Sequence, residues 1–238
     1  MRLDQLLVER GLVSSREKAR ALILAGQVRV DGQKIDKAGK AVTSDARLEL
    51  IEKLRYVGRG GLKLEAALDH FHISAAGKIC LDVGSSTGGF TDCLLQRGAA
   101  RVYAVDVGTA QLDWKLRNDA RVVVHEKVNA RYLSRQEVPE PIDLAVADVS
   151  FISVTMLIEP IASLLAKDAE MVILVKPQFE LERQQVGKGG IIRDPELHAQ
   201  ACHRVEEAVR QRGFQTAIIP SPVLGAEGNQ EFLLYARH

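Results

Sequence analysis

The chain has 238 residues, 46% of them hydrophobic, enough to bury one large core or one medium and one small, which excludes a disordered or fibrous protein. Its net charge of +1 conceals a split: residues 1–55 carry 12 Lys/Arg against 8 Asp/Glu, residues 56–238 carry 20 against 23. A small basic segment ahead of a mildly acidic one suits an anion-binding module serving a larger domain, and no run approaches the ~18 apolar residues of a membrane span.

The N-terminal Met1-Arg-Leu-Asp-Gln-Leu-Leu7 lacks the apolar stretch of a signal peptide. Leu3, Leu6, Leu7 and Val8 give one short helical face that ends near Gly11. Ser14 or Ser15 can cap a second helix with Glu17 in its first turn. Ala19, Ala21, Leu22, Ile23 and Ala25 form its apolar side, and Gly26 supplies the stop. Val28-Arg-Val30 alternates as a strand, Asp31-Gly32 is a hairpin signal, and Lys34-Ile-Asp36 pairs back. A closing strand is expected over residues 42–51. Arg16, Lys18, Arg20, Arg29 and Lys34 are then expected on one exposed side.

Residues Arg2-Leu-Asp4, Ser15-Arg16, Ala19, Leu22-Ile23 and Gly26-Gln-Val-Arg-Val-Asp-Gly32 resemble the RNA-binding domain named after small-subunit ribosomal protein S-four. The resemblance implies a small α+β RNA-binding domain over residues 1–54, with Arg2 joining the basic set. Such modules read RNA by shape and backbone more than by base. Residues 55–61, with three glycines and with Arg59, read as a linker to a second domain over residues 62–238.

From about residue 60 strands and helices alternate. Apolar strands are expected at Ile79–Val83, Arg101–Asp106, Val122–His125, Ile142–Ala147, Met171–Val175, Gln215–Ile219 and Glu231–Ala236. Pro195–Arg212, with Pro at its start and Gly213 after it, is the clearest helix. No helix separates the last two strands, so they should pair antiparallel. The pattern predicts an α/β fold: a seven-stranded, mostly parallel, doubly wound sheet with a reversed C-terminal hairpin. Cys80, Cys93 and Cys202 form no C-x-x-C pair, which fits a reducing compartment. The histidines fall in no ligand spacing, so no metal is expected.

Lys63 opens a helical pattern, Asp148 and Lys176 end strands, and Glu231 opens one. Ligands bind at strand ends in such folds, and a Lys-Asp-Lys-Glu set there suits deprotonation of a weakly acidic hydroxyl. The first strand runs into Leu81-Asp-Val-Gly-Ser-Ser-Thr-Gly-Gly-Phe90. Gly84 permits a tight turn, and Gly88 and Gly89 are expected to let the backbone approach a ligand at a helix start. Asp106 ends the next strand, placed to hold a ribose hydroxyl pair. The loop resembles the S-adenosylmethionine motif of class I methyltransferases, with Ser86 where glycine is usual. That resemblance implies a cofactor site of Asp82, Gly84, Ser85, Ser86, Thr87, Gly88, Gly89, Phe90, Asp106, Val107, Asn129, Ala130 and Asp148, with Asn129 at the adenine position. A dinucleotide-binding enzyme would share the loop's logic.

Gly60-Gly-Leu-Lys-Leu-Glu65, the loop above, Asp148-Val-Ser-Phe-Ile-Ser153, Val175-Lys-Pro-Gln-Phe-Glu180 and Val186-Gly-Lys-Gly-Gly-Ile-Ile-Arg-Asp194 resemble the TlyA, or haemolysin A-like, family along the whole chain. The second domain is similar to FtsJ/RrmJ-type RNA ribose 2′-O-methyltransferases, which have a Rossmann-like class I fold. The resemblance implies a catalytic Lys63, Asp148, Lys176 and Glu231, S-adenosylmethionine as cofactor, and cytidine ribose of ribosomal RNA, free or in a subunit, as substrate. Lys176 is the expected base, with Lys63 lowering its proton affinity, Asp148 holding the lysines and Glu231 orienting Lys63 or the ribose. Lys188 in the glycine-rich loop is a further expected RNA contact. Phe151 and Phe179 can stack on a base or pack in the core. Asp148-Val-Ser-Phe151 also resembles the Asp-Pro-Pro-Phe/Tyr motif of base N-methyltransferases, without its prolines. A non-catalytic RNA-binding protein and a membrane-active toxin are the other classes weighed. A cytoplasmic protein without membrane partner is expected; the pattern does not give an oligomeric state.

Overall fold

The computed structural model describes residues 1–24, 26–50, 55–187, 189–225 and 228–238. The chain forms two compact units, Met1–Leu54 and Arg55–His238.

In the first unit, α1 (Leu3–Glu9) and α2 (Arg16–Leu24) pack beside a small sheet of β1 (Val28–Val30), β2 (Gln33–Lys34) and β3 (Leu48–Leu50), in the order β2-β1-β3. Leu3, Leu7, Val13, Ala19, Ile23, Val28, Val30, Ile35 and Ala46 form its core. The Ser15 hydroxyl accepts from the Lys18 N–H at 3.2 Å, so Ser15 is the cap. Asp31 (φ +50°) and Gly32 (φ +79°) are both left-handed, as a two-residue hairpin that matches strand twist requires. Two expected strands are shorter than the pattern suggested. β2 stops at Lys34 because Ile35 turns into the core. The closing strand is Leu48–Leu50 only. Before it, Ala41 bridges Arg2, and the polar turn Thr43–Ala46, held by the Ala46 N–H on the Thr43 carbonyl, diverts the chain. Ala25 and Ile51 lie outside the described residues.

The second unit begins earlier than expected. Residues 55–61 are packed rather than linking: Tyr56 is buried, its hydroxyl donates to Glu65 at 3.0 Å, and the Val57 N–H donates to Asp92 at 2.8 Å. Gly60 and Gly61 form the first turn of α3 (Gly60–His70), where a Cβ on Gly61 would lie 2.3 Å from the Tyr56 ring. There follow β4 (Ile79–Val83), α4 (Gly89–Gln96), β5 (Arg101–Asp106), α5 (Trp114–Arg117), β6 (Val122–Glu126), β7 (Ile142–Ala147), α6 (Ile158–Ala162), β8 (Leu165–Val175), α7 (Pro177–Glu180), α8 (Pro195–Arg210), β9 (Gln215–Pro220) and β10 (Phe232–Arg237).

The seven strands form one sheet in the order β6-β5-β4-β7-β8-β10-β9. β4, β5, β6, β7 and β8 run parallel, and β10 is antiparallel to both of its neighbours. The reversed member of the C-terminal pair is therefore β10, inserted between β8 and β9. β8 starts six residues before the expected Met171, because a register shift opposite Ile142 and Leu144 accommodates the charged Lys167-Asp168 stretch. α8 has Pro195 in its first turn and Asp194 as its cap, accepting from the Glu196 N–H at 2.9 Å.

Alternate residues of each strand point to opposite sheet faces, and each face is covered. Leu81, Val83, Ile142, Met171, Ile173, Val205 and Val209 belong to one core, and Cys80, Val102, Leu144, Val172, Leu64 and Leu94 to the other. Strands buried on both faces read as continuous apolar runs. That is why the parallel strands were visible in the sequence.

Candidate active site

The first strand of the unit, β4, lies centrally, with β5 on one side and β7 on the other. The crevice outside their C-terminal ends is where doubly wound folds bind ligands. A cavity of about 450 Å³ opens there, walled by Gly84, Asp106, Val107, Asn129, Asp148 and Phe151 among others. A second cavity of about 200 Å³ adjoins it, walled by Arg59, Ser85, Thr87, Gly89, Phe90 and Lys176 among others. Gly84, Ser86, Asp148 and Ser150 wall both.

The glycine-rich loop is built by close approach. Gly84 has φ +81°, and a Cβ there would stand 2.3 Å from the main-chain oxygen of Asp148. The loops after β4 and β7 therefore touch backbone to backbone, fixed also by the Asp148 N–H on the Val83 carbonyl at 2.9 Å. Ser86 has φ +47°, the left-handed conformation in which glycine is favoured, which explains the usual residue there. Its N–H donates to Asp106 at 2.8 Å, and the Gly108 N–H donates to the other oxygen at 2.7 Å. Two backbone donors hold the Asp106 carboxylate against the cavity, and it keeps lone pairs for a diol.

Gly88 departs from the expectation. Gly88 (φ +97°) is open to the Leu116 and Leu112 side chains, not to a cavity, and a Cβ there would lie 2.3 Å from Leu116. Gly89 walls the second cavity and also faces the Gly60-Gly61 backbone of α3, where a Cβ on it would lie 3.0 Å from the Gly61 nitrogen. Phe90 is likewise a core side chain with one edge on the second cavity. Asp82 walls neither cavity. It is fully buried, accepts from the Thr91 hydroxyl at 2.6 Å, and has one oxygen without a protein partner. Burial pushes its carboxyl up to about 7, opposed by Thr91 and reinforced by the Asp148 charge. Asn129 caps the turn Ala130–Tyr132 through its carbonyl, accepting from the Arg131 N–H at 3.1 Å, so its amide nitrogen remains to donate to a ligand. Ala130 and Val107 line the first cavity, Val107 from a largely exposed position.

The four polar strand-end residues form two ion pairs. Lys176 pairs with Asp148 at 2.6 Å and donates to the Ser150 hydroxyl at 2.9 Å, at the cavity walls. Lys63, on the first turns of α3, pairs with Glu231, and both are buried. Neither walls either of these two cavities. The expected lysine–lysine repulsion is thus offset by one carboxylate per lysine, and Asp148 holds Lys176 alone. Glu231 meets Lys63, not Lys176.

In the first unit, Asp4 is fully buried and gathers two arginines: Arg2 Nε donates at 3.0 Å and Arg16 at 3.1 Å. The Arg2 hydrogen bond leads in holding its carboxyl down at about 2. Lys18, Arg20, Arg29 and Lys34 are exposed, with Arg29 and Lys34 directly opposed across the hairpin. Arg59 lies in the second unit, on the smaller cavity. Lys188 is outside the described residues. Among those described, no group of His, Cys, Asp or Glu is arranged to hold a metal. Sequence reasoning missed Ser150, Gln111 and Glu180. Gln111, on the wall of the larger cavity, is an unmarked polar residue in a loop, whereas Ser150 and Glu180 sat unread inside the Asp148–Ser153 and Val175–Glu180 motifs.

The second unit thus has the doubly wound fold and strand-end crevice of methyltransferases. Residues 56–238 match the FtsJ-like methyltransferase family, and residues 1–48 match the S4 domain. The 16S/23S rRNA (cytidine-2′-O)-methyltransferase TlyA of Mycobacterium tuberculosis is 45% identical over 99% of this chain and 89% of its own. Hemolysin A of Brachyspira hyodysenteriae is 45% identical over 99% of each. A solved Streptococcus thermophilus structure bearing the hemolysin name covers 100% of this chain and 88% of its own, with 43% identity and a TM-score of 0.77. The chain belongs to the TlyA family, FtsJ-like methyltransferases that carry an N-terminal S4 domain.

Proposed function

We propose that this protein transfers a methyl group from S-adenosylmethionine to the ribose 2′-hydroxyl of a cytidine in ribosomal RNA. The observation that carries the reading is Lys176, held by Asp148 and Ser150 where the two cavities meet. The larger cavity suits the cofactor: Asp106 offers a fixed acceptor for a ribose diol, and Asn129 offers a donor for adenine. The smaller cavity, with Arg59 and Lys176 on its wall, suits the ribose and phosphate of the substrate.

When bound, the cofactor supplies an electrophilic methyl group on a sulfonium centre. The residues supply position and a proton acceptor. In its neutral form Lys176 would accept the hydroxyl proton on Nζ as the 2′-oxygen displaces the thioether from the methyl carbon, the carbon–sulfur bond breaking as the oxygen–carbon bond forms. Asp148 orients that amine and stabilises the ammonium it becomes. Ser150 accepts from Nζ and fixes a second direction. Lys63 and Glu231, buried as a pair, tie α3 to the start of β10.

Phe151 favours recognition of an unstacked base. It is 88% exposed beside the larger cavity, with its ring 5.4 Å from that of Phe179. A base stacked there would gain ~1–3 kcal/mol. The S4 domain supplies the remaining RNA affinity through the arginines gathered by Asp4 and through Lys18, Arg20, Arg29 and Lys34. We place the RNA-binding domain at residues 1–54 and the catalytic domain from Arg55 onward. Base N-methylation is less well supported, since the loop Asp148-Val-Ser-Phe151 lacks the prolines and an amino group needs no Lys176. Among the described residues no helix is long and apolar enough to cross a membrane.

The test is to map the methyl group from labelled cofactor on ribosomal RNA, both free and in each subunit. A label on a ribose 2′-oxygen supports the reading. A label on a base, or none, refutes it.

A further inference from the structure

Glu180 closes α7, four residues after Lys176, and is 2% exposed. A carboxylate so buried is costly unless it is hydrogen-bonded. Its partners come from a single place. One oxygen accepts from the Val154 N–H at 2.8 Å, and the other accepts from the Ser153 hydroxyl. Both donors end the loop that follows β7 and begins at Asp148. Burial raises the Glu180 carboxyl, and the Ser153 and Val154 bonds pull it back. Its main-chain oxygen accepts from Arg204 of α8 at 2.7 Å. Glu180 is thus anchored to α8 through its backbone and grips the β7 loop through its side chain.

That loop needs a grip. Phe151 within it has φ +68°, unfavourable for a bulky residue, and its ring is almost wholly exposed, so little core packing restrains it. The loop's first residue is fixed by the Asp148 N–H on Val83. Its last residues are fixed by Glu180. Between these two ties lie Asp148 and Ser150, both in contact with Lys176, and Phe151, which meets Phe179.

We propose that Glu180 is a positioning residue for methyl transfer: it braces the Asp148–Val154 loop against the Lys176–Glu180 segment and so sets Asp148 and Ser150 around the Lys176 amine. The proposal rests on the reading of Lys176 as the proton acceptor. The brace works through reach and two hydrogen-bonding positions, not through charge. Glutamine keeps both links, because its carbonyl can accept from Val154 while its amide donates to the Ser153 oxygen. Aspartate keeps the charge but is one methylene short.

The experiment measures kcat, KM for ribosomal RNA and binding of S-adenosylhomocysteine on the full chain, well below its melting temperature. Variants are Glu180→Gln, Glu180→Asp, Glu180→Ala and Ser153→Ala. Glu180→Asp and Glu180→Ala should lose roughly 10- to 100-fold in kcat with KM changed less than about threefold, and Glu180→Gln should stay within about fivefold of wild type. Ser153→Ala should lose less than Glu180→Ala and add little to it in the double variant. If Glu180→Ala does not fold, Glu180→Asp and Ser153→Ala carry the test. Wild-type turnover in Glu180→Asp, or a loss confined to KM or to thermal stability, overturns the brace. An active Lys176→Ala, or a wild type that labels no ribose, overturns the underlying reading and the brace with it.

Discussion

Gly84→Ala tests the contact on which the site's geometry depends. Two penalties meet at this position. A left-handed φ of +81° costs an L-residue roughly 1–2 kcal/mol. The new methyl would also stand 2.3 Å from the Asp148 main-chain oxygen and 3.1 Å from Val149 Cγ1, and neither the backbone nor the β4 end can retreat cheaply. Overpacking of this kind adds about 1–3 kcal/mol. Gly77 provides the control, since it has φ +73° and nothing within 4 Å of its Cβ position. Gly77→Ala incurs the backbone penalty alone. In matched thermal scans, the extra 1–3 kcal/mol should lower the Tm of Gly84→Ala below that of Gly77→Ala by roughly 2–12 °C. Calorimetry should show S-adenosylhomocysteine binding intact in Gly77→Ala and weakened at least about tenfold in Gly84→Ala, because relieving the clash moves Asp148 and the shared cavity wall. Equal melting temperatures and equal affinities for the two variants would refute the reasoning.

Three further outcomes are expected. Asp82 holds its proton more tightly folded than unfolded, so its stability contribution is complete below about pH 4 and is lost as pH rises through about 7; Asp82→Asn should flatten that part of the denaturation profile, and an unchanged slope would count against the buried carboxyl. Lys176→Arg should bind cofactor but fail in single turnover at every pH, because a guanidinium cannot give up its proton to become a base; substantial activity would remove the general-base role. Asp4→Asn makes the first unit more positive, so charge alone predicts tighter RNA binding, whereas loss of the Arg2–Arg16 clamp predicts weakening by roughly 1 kcal/mol, about fivefold, in filter binding at fixed salt.

The fold was legible where burial acts on both faces of a strand. Ile79–Val83, Arg101–Asp106 and Ile142–Ala147 begin and end where the apolar pattern does. It was less legible where local polarity and tertiary packing disagree. Lys167-Asp168 lies inside β8, because a register shift lets the strand run on past its buried half. Tyr56 and Gly58-Arg-Gly-Gly61 have linker composition, yet their glycines serve packing: Gly61 makes room for the Tyr56 ring, and Gly60 lies against Phe90. Composition reports that small residues are present, not whether solvent or a neighbouring helix occupies the space beside them.

The site divides in the same way. Strand ends are local, so Asp148, Lys176 and Asp106 could be placed at the crevice from the pattern alone. Pairing is not local: Lys63 meets Glu231 across 168 residues of sequence, and Ser153 meets Glu180 across 27. Reading two lysines and two carboxylates as one cluster led to an expected lysine–lysine repulsion that the ion pairs offset. The arrangement moves the burden of activating Lys176. Asp148 at 2.6 Å and Ser150 at 2.9 Å fix the direction of its amine. In the proposed mechanism its reactivity then depends on aim at the hydroxyl, which Ser150 and the braced loop would supply. A site that aims its base by hydrogen bonds should be sensitive to residues that touch no substrate, and on this reading Glu180 is one of them.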